Sequence, residues 1–115
     1  MCGIAGVISQ DKRLSEEACI RLIDSLAHRG PDGRGVFFDF DSNLFLGHRR
    51  LKILDLTDAG KQPMFSSDGR YAIVFNGEIY NFLELREVLA KKGYSFVSDS
   101  DTEVILASYA EWKLL

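Results

Sequence analysis

The chain predicts an α+β domain. Three observations carry that reading: the order of its hydrophobic periodicities, the helix-start signals before its helical segments, and the absence of repeats, low-complexity tracts or linkers. Residues 3–9 are small and β-branched apolar residues and read as a buried strand. Residues 14–28 read as a helix, because Ala18, Leu22, Ile23 and Leu26 recur at helical spacing. Ser15 is its expected N-cap, with Glu16 and Glu17 well placed in the first turn. Cys19 lies beside the apolar stripe and is assigned to the core. His28-Arg29-Gly30-Pro31-Asp32-Gly33 ends the helix as a loop, since Gly and Pro cannot continue it.

Residues 36–40 and 44–51 read as two strands joined by a turn at Asp41-Ser42-Asn43. A loop over residues 57–68 follows, with Pro63 inside it and Asp68-Gly69 as a turn. Residues 71–75 read as a strongly apolar strand that halts at Asn76-Gly77. Asn81 with Glu84 resembles a capping box, and Tyr80 with Leu85 a hydrophobic staple around it. That helix is expected to run to about Lys92 and end at Gly93. The last helix is expected from Ser100, with Glu103 as its box partner, through Val104, Ile105, Tyr109 and Trp112. The order is therefore strand, helix, several strands, then two helices.

A length of 115 residues suits one domain over residues 1–115, large enough for a core without staples. The net charge of −3 gives no electrostatic case for nucleic acid or an anionic membrane. No apolar run approaches membrane-spanning length, and Asp11, Lys12 and Arg13 cut short the only signal-like start. Two cysteines and no targeting segment point to a reducing cytoplasm.

Cys2 directly follows the initiator Met1. Once Met1 is removed, residue 2 carries both a thiol and an α-amine. An unperturbed α-amine has a pKa of about 7.7–8.0 and a cysteine thiol about 8.5, so the amine can take the thiol's proton near neutrality. Gly3, Ala5 and Gly6 would let substrate approach closely. The competing reading is a buried thiol opening an apolar strand. A Cys2–Cys19 disulfide also stays open, and it would consume the nucleophile. Metal binding by Cys2, Cys19, His28 and His48 has no zinc-like short spacing behind it.

Asn76-Gly77 has two readings of equal weight. A side-chain amide and a backbone N–H after a buried strand can form an oxyanion hole, and Asn-Gly is also the commonest hairpin-turn signal. Arg49-Arg50 at a strand end could bind a carboxylate bidentately or be a solvated basic pair. Ser100-Asp101-Thr102-Glu103 is explained as a helix start, where Asp101 could equally bind an ammonium.

Taken together, Met1-Cys2-Gly3-Ile4-Ala5-Gly6, His28-Arg29-Gly30-Pro31-Asp32, Gly47-His48-Arg49-Arg50-Leu51 with Ile53, Gln62-Pro63, Asn76-Gly77-Glu78-Ile79-Tyr80-Asn81 and Ser100-Asp101-Thr102-Glu103 resemble one family. It is the glutaminase domain of glutamine-hydrolysing asparagine synthetases, a class II glutamine amidotransferase. Phe75 stands where other amidotransferase branches tend to carry a His before Asn-Gly. The resemblance implies an N-terminal-nucleophile αββα sandwich whose later strands would lie beyond Leu115, so that the chain is expected to be truncated within the domain.

The resemblance also implies roles. Cys2 would be the nucleophile and its own amine the base. Asn76 and Gly77 would form the oxyanion hole, Arg50 would hold the glutamine α-carboxylate, and Asp101 the α-ammonium. Ile53, Leu54 and Glu78 would complete the pocket, and Arg29 would place the amino-terminal strand. The expected partners are L-glutamine and an ATP-dependent synthetase domain, in the same chain or in trans, and a homodimer stays open. No cofactor is expected in this segment; ATP and magnesium are expected only in the synthetase domain. The alternative function is a non-catalytic glutamine-binding or interaction module.

Overall fold

The expectation of an α+β domain holds. The computed structural model describes residues 2–52 and 57–113, and among these it has two antiparallel sheets and three helices. The elements are β1 (Gly3–Ile8), α1 (Glu16–Asp24), β2 (Gly33–Asp39), β3 (Leu44–Arg50), a 3-10 turn (Asp58–Gly60), β4 (Met64–Phe65), β5 (Ala72–Ile73), α2 (Phe82–Lys91) and α3 (Asp101–Trp112). β3 is the central strand of the larger sheet, antiparallel to both β1 and β2. β4 and β5 form a separate two-stranded ladder.

Strand alternation divides the larger sheet into two chemically different faces. Ala5, Val7, Phe38 and Phe45 turn towards α1 and pack with Leu14, Cys19, Ile23 and Leu26. Cys19 is thus a core residue, and it and Cys2 are both free thiols. The opposite face carries His48 and Arg50. In the ladder His48 lies across from Ile4 of β1 and Gly35 of β2, and Arg50 lies across from Gly33. A one-residue slip would exchange these faces, so the register decides where the polar residues go.

The helix signals are right in place and partly wrong in detail. Ser15 caps α1 by accepting from the Ala18 N–H. The helix stops at Asp24 rather than His28, because Leu26, Ala27 and Arg29 donate to carbonyls three residues back, which tightens the chain into successive turns. The Asn81–Glu84 capping box is not formed: Asn81 makes no side-chain cap bond. Nor is the staple, since Tyr80 is almost fully exposed. Ser100 does cap α3, but through the Thr102 N–H. Glu103 accepts from the Val97 and Ser98 N–H groups, one turn of chain before its expected partner. The Ser100 N–H goes instead to Ser98 Oγ.

Two strand expectations also shift. β2 begins at Gly33, three residues before the expected start, because the neighbouring β3 provides a ladder that the two glycines follow without steric cost. The apolar run 71–75 holds only Ala72–Ile73 in a ladder, and its partner β4 lies inside the expected loop. Val74 and Phe75 continue beyond the ladder.

Gly35 is where the larger sheet meets the 57–65 segment. A Cβ at this position would lie 1.7 Å from the Gln62 carbonyl oxygen. The backbone of Gln62 therefore rests directly on β2, next to His48. Gly35→Ala should destabilise the fold by about 1–3 kcal/mol, the cost of overpacking a contact that cannot yield. Urea denaturation checks this, and a change below about 0.5 kcal/mol would show that the contact is not close in solution.

Candidate active site

Five chain segments converge on a cavity of about 400 Å³ on the face of β3 turned away from α1. That size suits a small organic molecule. Cys2, Arg50, Asn76, Gly77, Glu78 and Asp101 all line it. These residues lie as far as 99 positions apart in sequence, from 2 to 101, and the fold places them around one space. Ile53 and Leu54, also expected here, lie outside the described residues, as does Met1.

The Cys2 sulfur is held by backbone at the end of β3. Leu51 N–H donates to Sγ at 3.2 Å, and Sγ lies 3.5 Å from the Leu51 carbonyl oxygen. Arg29 Nε donates to the Cys2 carbonyl at 3.2 Å, so the loop after α1 fastens the start of β1. Arg29 itself is exposed and outside the cavity.

The adjacent arginines do different jobs because alternation sends them to opposite faces. Arg49 lies on the α1 side, where it donates to the Gly30 carbonyl at 3.1 Å and pairs with Asp24. Arg50 points to the cavity, is 6% exposed, and donates to the Thr57 carbonyl at 2.6 Å. A guanidinium is a planar fork of N–H donors, a shape that matches a carboxylate.

Asp101 is buried at the start of α3, where the helix dipole favours its charge. Its Oδ2 accepts from the Ile79 N–H at 3.0 Å, which ties α3 to the segment after Asn76-Gly77. Asn76-Gly77 is not a hairpin turn, since β5 pairs backwards with β4 and the chain proceeds to α2. A Cβ on Gly77 would meet the Phe75 ring at 2.8 Å, so that ring lies against the Gly77 backbone.

His48 and Gln62 also line the cavity, and the sequence motifs imply no pocket role for either. His48 is 1% exposed, and its Nε2 has no hydrogen-bond partner among the described residues. Burial pushes its pKa down from 6.5 to about 4, Arg50 pushes the same way, and a bond to the Phe75 backbone opposes them. Gln62 is buried and bonded to both Phe75 and Thr102. The signals were present in Gly47-His48-Arg49-Arg50 and Gln62-Pro63, but spacing alone does not say what either touches. Among the described residues, no three of His, Cys, Asp or Glu group as a metal site would need. None of the helices there is long and apolar enough to cross a membrane.

Residues 1–114 match the family profile described as a glutamine amidotransferase domain. The chain is 45% identical to asparagine synthetase [glutamine-hydrolyzing] 1 of Bacillus subtilis, over 98% of this chain and 18% of that protein. It is 39% identical to a putative asparagine synthetase [glutamine-hydrolyzing] 1 of Methanocaldococcus jannaschii, covering 99% of this chain and 24% of the relative. Amidase chry2 of Gibberella zeae is 35% identical, over 99% and 18% respectively. The chain thus spans roughly a fifth of the length of these curated relatives.

The neutral, buried His48 makes stability depend on pH. Unfolded, it gains a proton as pH falls below about 6.5, while folded it stays neutral until about 4. The unfolded state then binds more protons, so stability falls as pH drops through that window, by up to about 1.4 kcal/mol per pH unit. Urea denaturation at stepped pH should show His48→Asn with a flatter profile than the wild type between these limits. Parallel profiles would mean that His48 is not buried as a neutral imidazole.

Proposed function

Since the chain belongs to the glutamine amidotransferase domain family, we propose that it hydrolyses the side-chain amide of L-glutamine and supplies the ammonia to an ATP-dependent synthetase partner. One observation supports this most: a single cavity holds a thiol, an Asn-Gly pair, a buried arginine and a buried aspartate. Glutamine is a zwitterion with an amide at its far end, and it asks for those four things. A site that binds both charges rejects an amide lacking either, because a buried ion would be left unpaired.

On this reading the Cys2 sulfur attacks the carboxamide carbon after Met1 has been removed, and the α-amine of residue 2 takes the thiol proton. The C=O electrons move to oxygen, where Asn76 and Gly77 donate hydrogen bonds to the developing anion. The C–N bond then breaks, the leaving nitrogen takes the proton from the α-ammonium, and ammonia departs. Water attacks the resulting glutamyl thioester, which releases glutamate and restores the thiol. Arg50 and Asp101 hold the α-carboxylate and α-ammonium, and Glu78, with Ile53 and Leu54, closes the pocket.

The two sheets are read as the inner layers of the αββα sandwich of N-terminal-nucleophile enzymes. ATP and magnesium belong to the synthetase partner. One arginine and one aspartate lining one cavity match an amino acid better than a triphosphate, and the proposed chemistry needs no cofactor in this segment. A cytoplasmic setting keeps both thiols reduced.

The test uses full-length protein in which mass spectrometry confirms an amino-terminal Cys2. Glutamine should yield glutamate, and Cys2→Ala should abolish this while glutamine still binds by calorimetry. Asn76→Ala should lower kcat by roughly 10²–10³-fold with little change in KM. Turnover that survives Cys2→Ala would overturn the nucleophile. Binding without turnover in the wild type would favour the non-catalytic module.

A further inference from the structure

Among the described residues, the segment that carries Asn76 and Gly77 joins no ladder, because β5 ends at Ile73. A backbone N–H beyond a strand end still needs an acceptor when it leaves water. Phe75 N–H finds one in the Gln62 side chain, whose Oε1 lies at 2.6 Å. The same amide donates from Nε2 to Thr102 Oγ1 at 3.1 Å, on the first turn of α3. Gln62 is itself fixed at the other end, since its carbonyl rests against Gly35 of β2. Its side chain therefore replaces a strand, joining the larger sheet, the Phe75 peptide and α3.

Two further contacts make Phe75 the place where such a clamp would act. Its backbone engages the buried His48, and its ring lies under Gly77. A shift of the Phe75 peptide would move the Asn76 amide directly and the Gly77 N–H through the ring. Oxyanion donors act through position, so a loosened donor weakens transition-state binding more than substrate binding.

We propose that Gln62, braced by Thr102, is the positioning residue that sets the oxyanion hole by clamping the Phe75 peptide. The inference rests on the glutaminase reading for its kinetic consequence but not for its geometry. It separates Gln62 from a substrate-binding role, which its place on the cavity wall would otherwise suggest.

The test uses full-length, Met1-processed protein and two readouts. Gln62→Met keeps the side chain's length and removes both bonds. It should lower kcat for glutamine hydrolysis about tenfold or more, with KM changed less than about twofold. Thr102→Val should do the same more mildly, and Thr102→Ser, which keeps the hydroxyl, should recover most of the loss. Because both side chains belong to one clamp, the double variant Gln62→Met/Thr102→Val should lose less than the product of the single losses. Hydrogen exchange provides a readout independent of turnover: the Phe75 amide should exchange at least tenfold faster in Gln62→Met, in protein that still melts cooperatively. A raised KM with unchanged kcat would make Gln62 a binding residue and overturn the proposal. Unchanged Phe75 exchange would overturn it whatever the kinetics. Absence of Cys2-dependent turnover in the wild type would sink the glutaminase reading and leave the exchange result to decide the clamp.

Discussion

One side-chain amide bridges two sheets that, among the described residues, share no backbone ladder. The β1-β3-β2 sheet carries Cys2 and Arg50, whereas Asn76 and Gly77 follow the short β4-β5 pair. The 57–65 segment crosses β2 at Gly35, and His48 of β3 bonds the Phe75 backbone, so both contacts bring the layers close. Gln62 then spans from the crossing to the Phe75 N–H and the Thr102 hydroxyl. Apolar packing is non-directional, so it can bring such layers together without fixing their relative height. A pair of short, directed hydrogen bonds can fix it, and a buried amide left without them would cost about 1–3 kcal/mol per unsatisfied group. Geometry at the cavity thus depends on polar satisfaction more than on the hydrophobic core behind α1.

Charge is sorted by the same strand alternation that sorts the core. Arg49 and Arg50 are chemically identical neighbours, yet one serves Asp24 and Gly30 while the other borders the cavity. The acids divide similarly. Asp24 stays half-exposed and pairs with Arg34 and Arg49. Asp101 is buried, with its charge supported by the helix start and the Ile79 N–H. An exposed pair of the first kind contributes little to stability, so its value here is in holding the loop after α1 in place. That loop positions Arg29 on the Cys2 carbonyl.

Much of this is legible in the residues alone. The α+β order, the Ser15 and Ser100 caps, the core role of Cys19 and the choice of Arg50 over Arg49 as the cavity-lining arginine all follow from local pattern or motif register. What was not legible depended on distant chain. The run 71–75 has the composition of a full strand, but a strand's length is set by its partner, and β4 offers two residues. Asn81 and Glu84 have the spacing of a capping box, but Asn81 adopts φ −101° and ψ 25°, outside the extended geometry that the box requires. Gln62 reads as one polar residue before a proline in a loop. Nothing local says that Phe75 and Thr102 will both need it.

The two ladders differ greatly in length, with six or seven residues per strand in one and two per strand in the other. Short ladders open at low free energy, well before the whole molecule lets go. The cavity straddles a long ladder and a short one, and Asn76 and Gly77 follow the short one. Mild denaturant or warming should therefore silence such a protein while its far-ultraviolet circular dichroism still looks intact. Inactivation and melting would be two separate events in one chain.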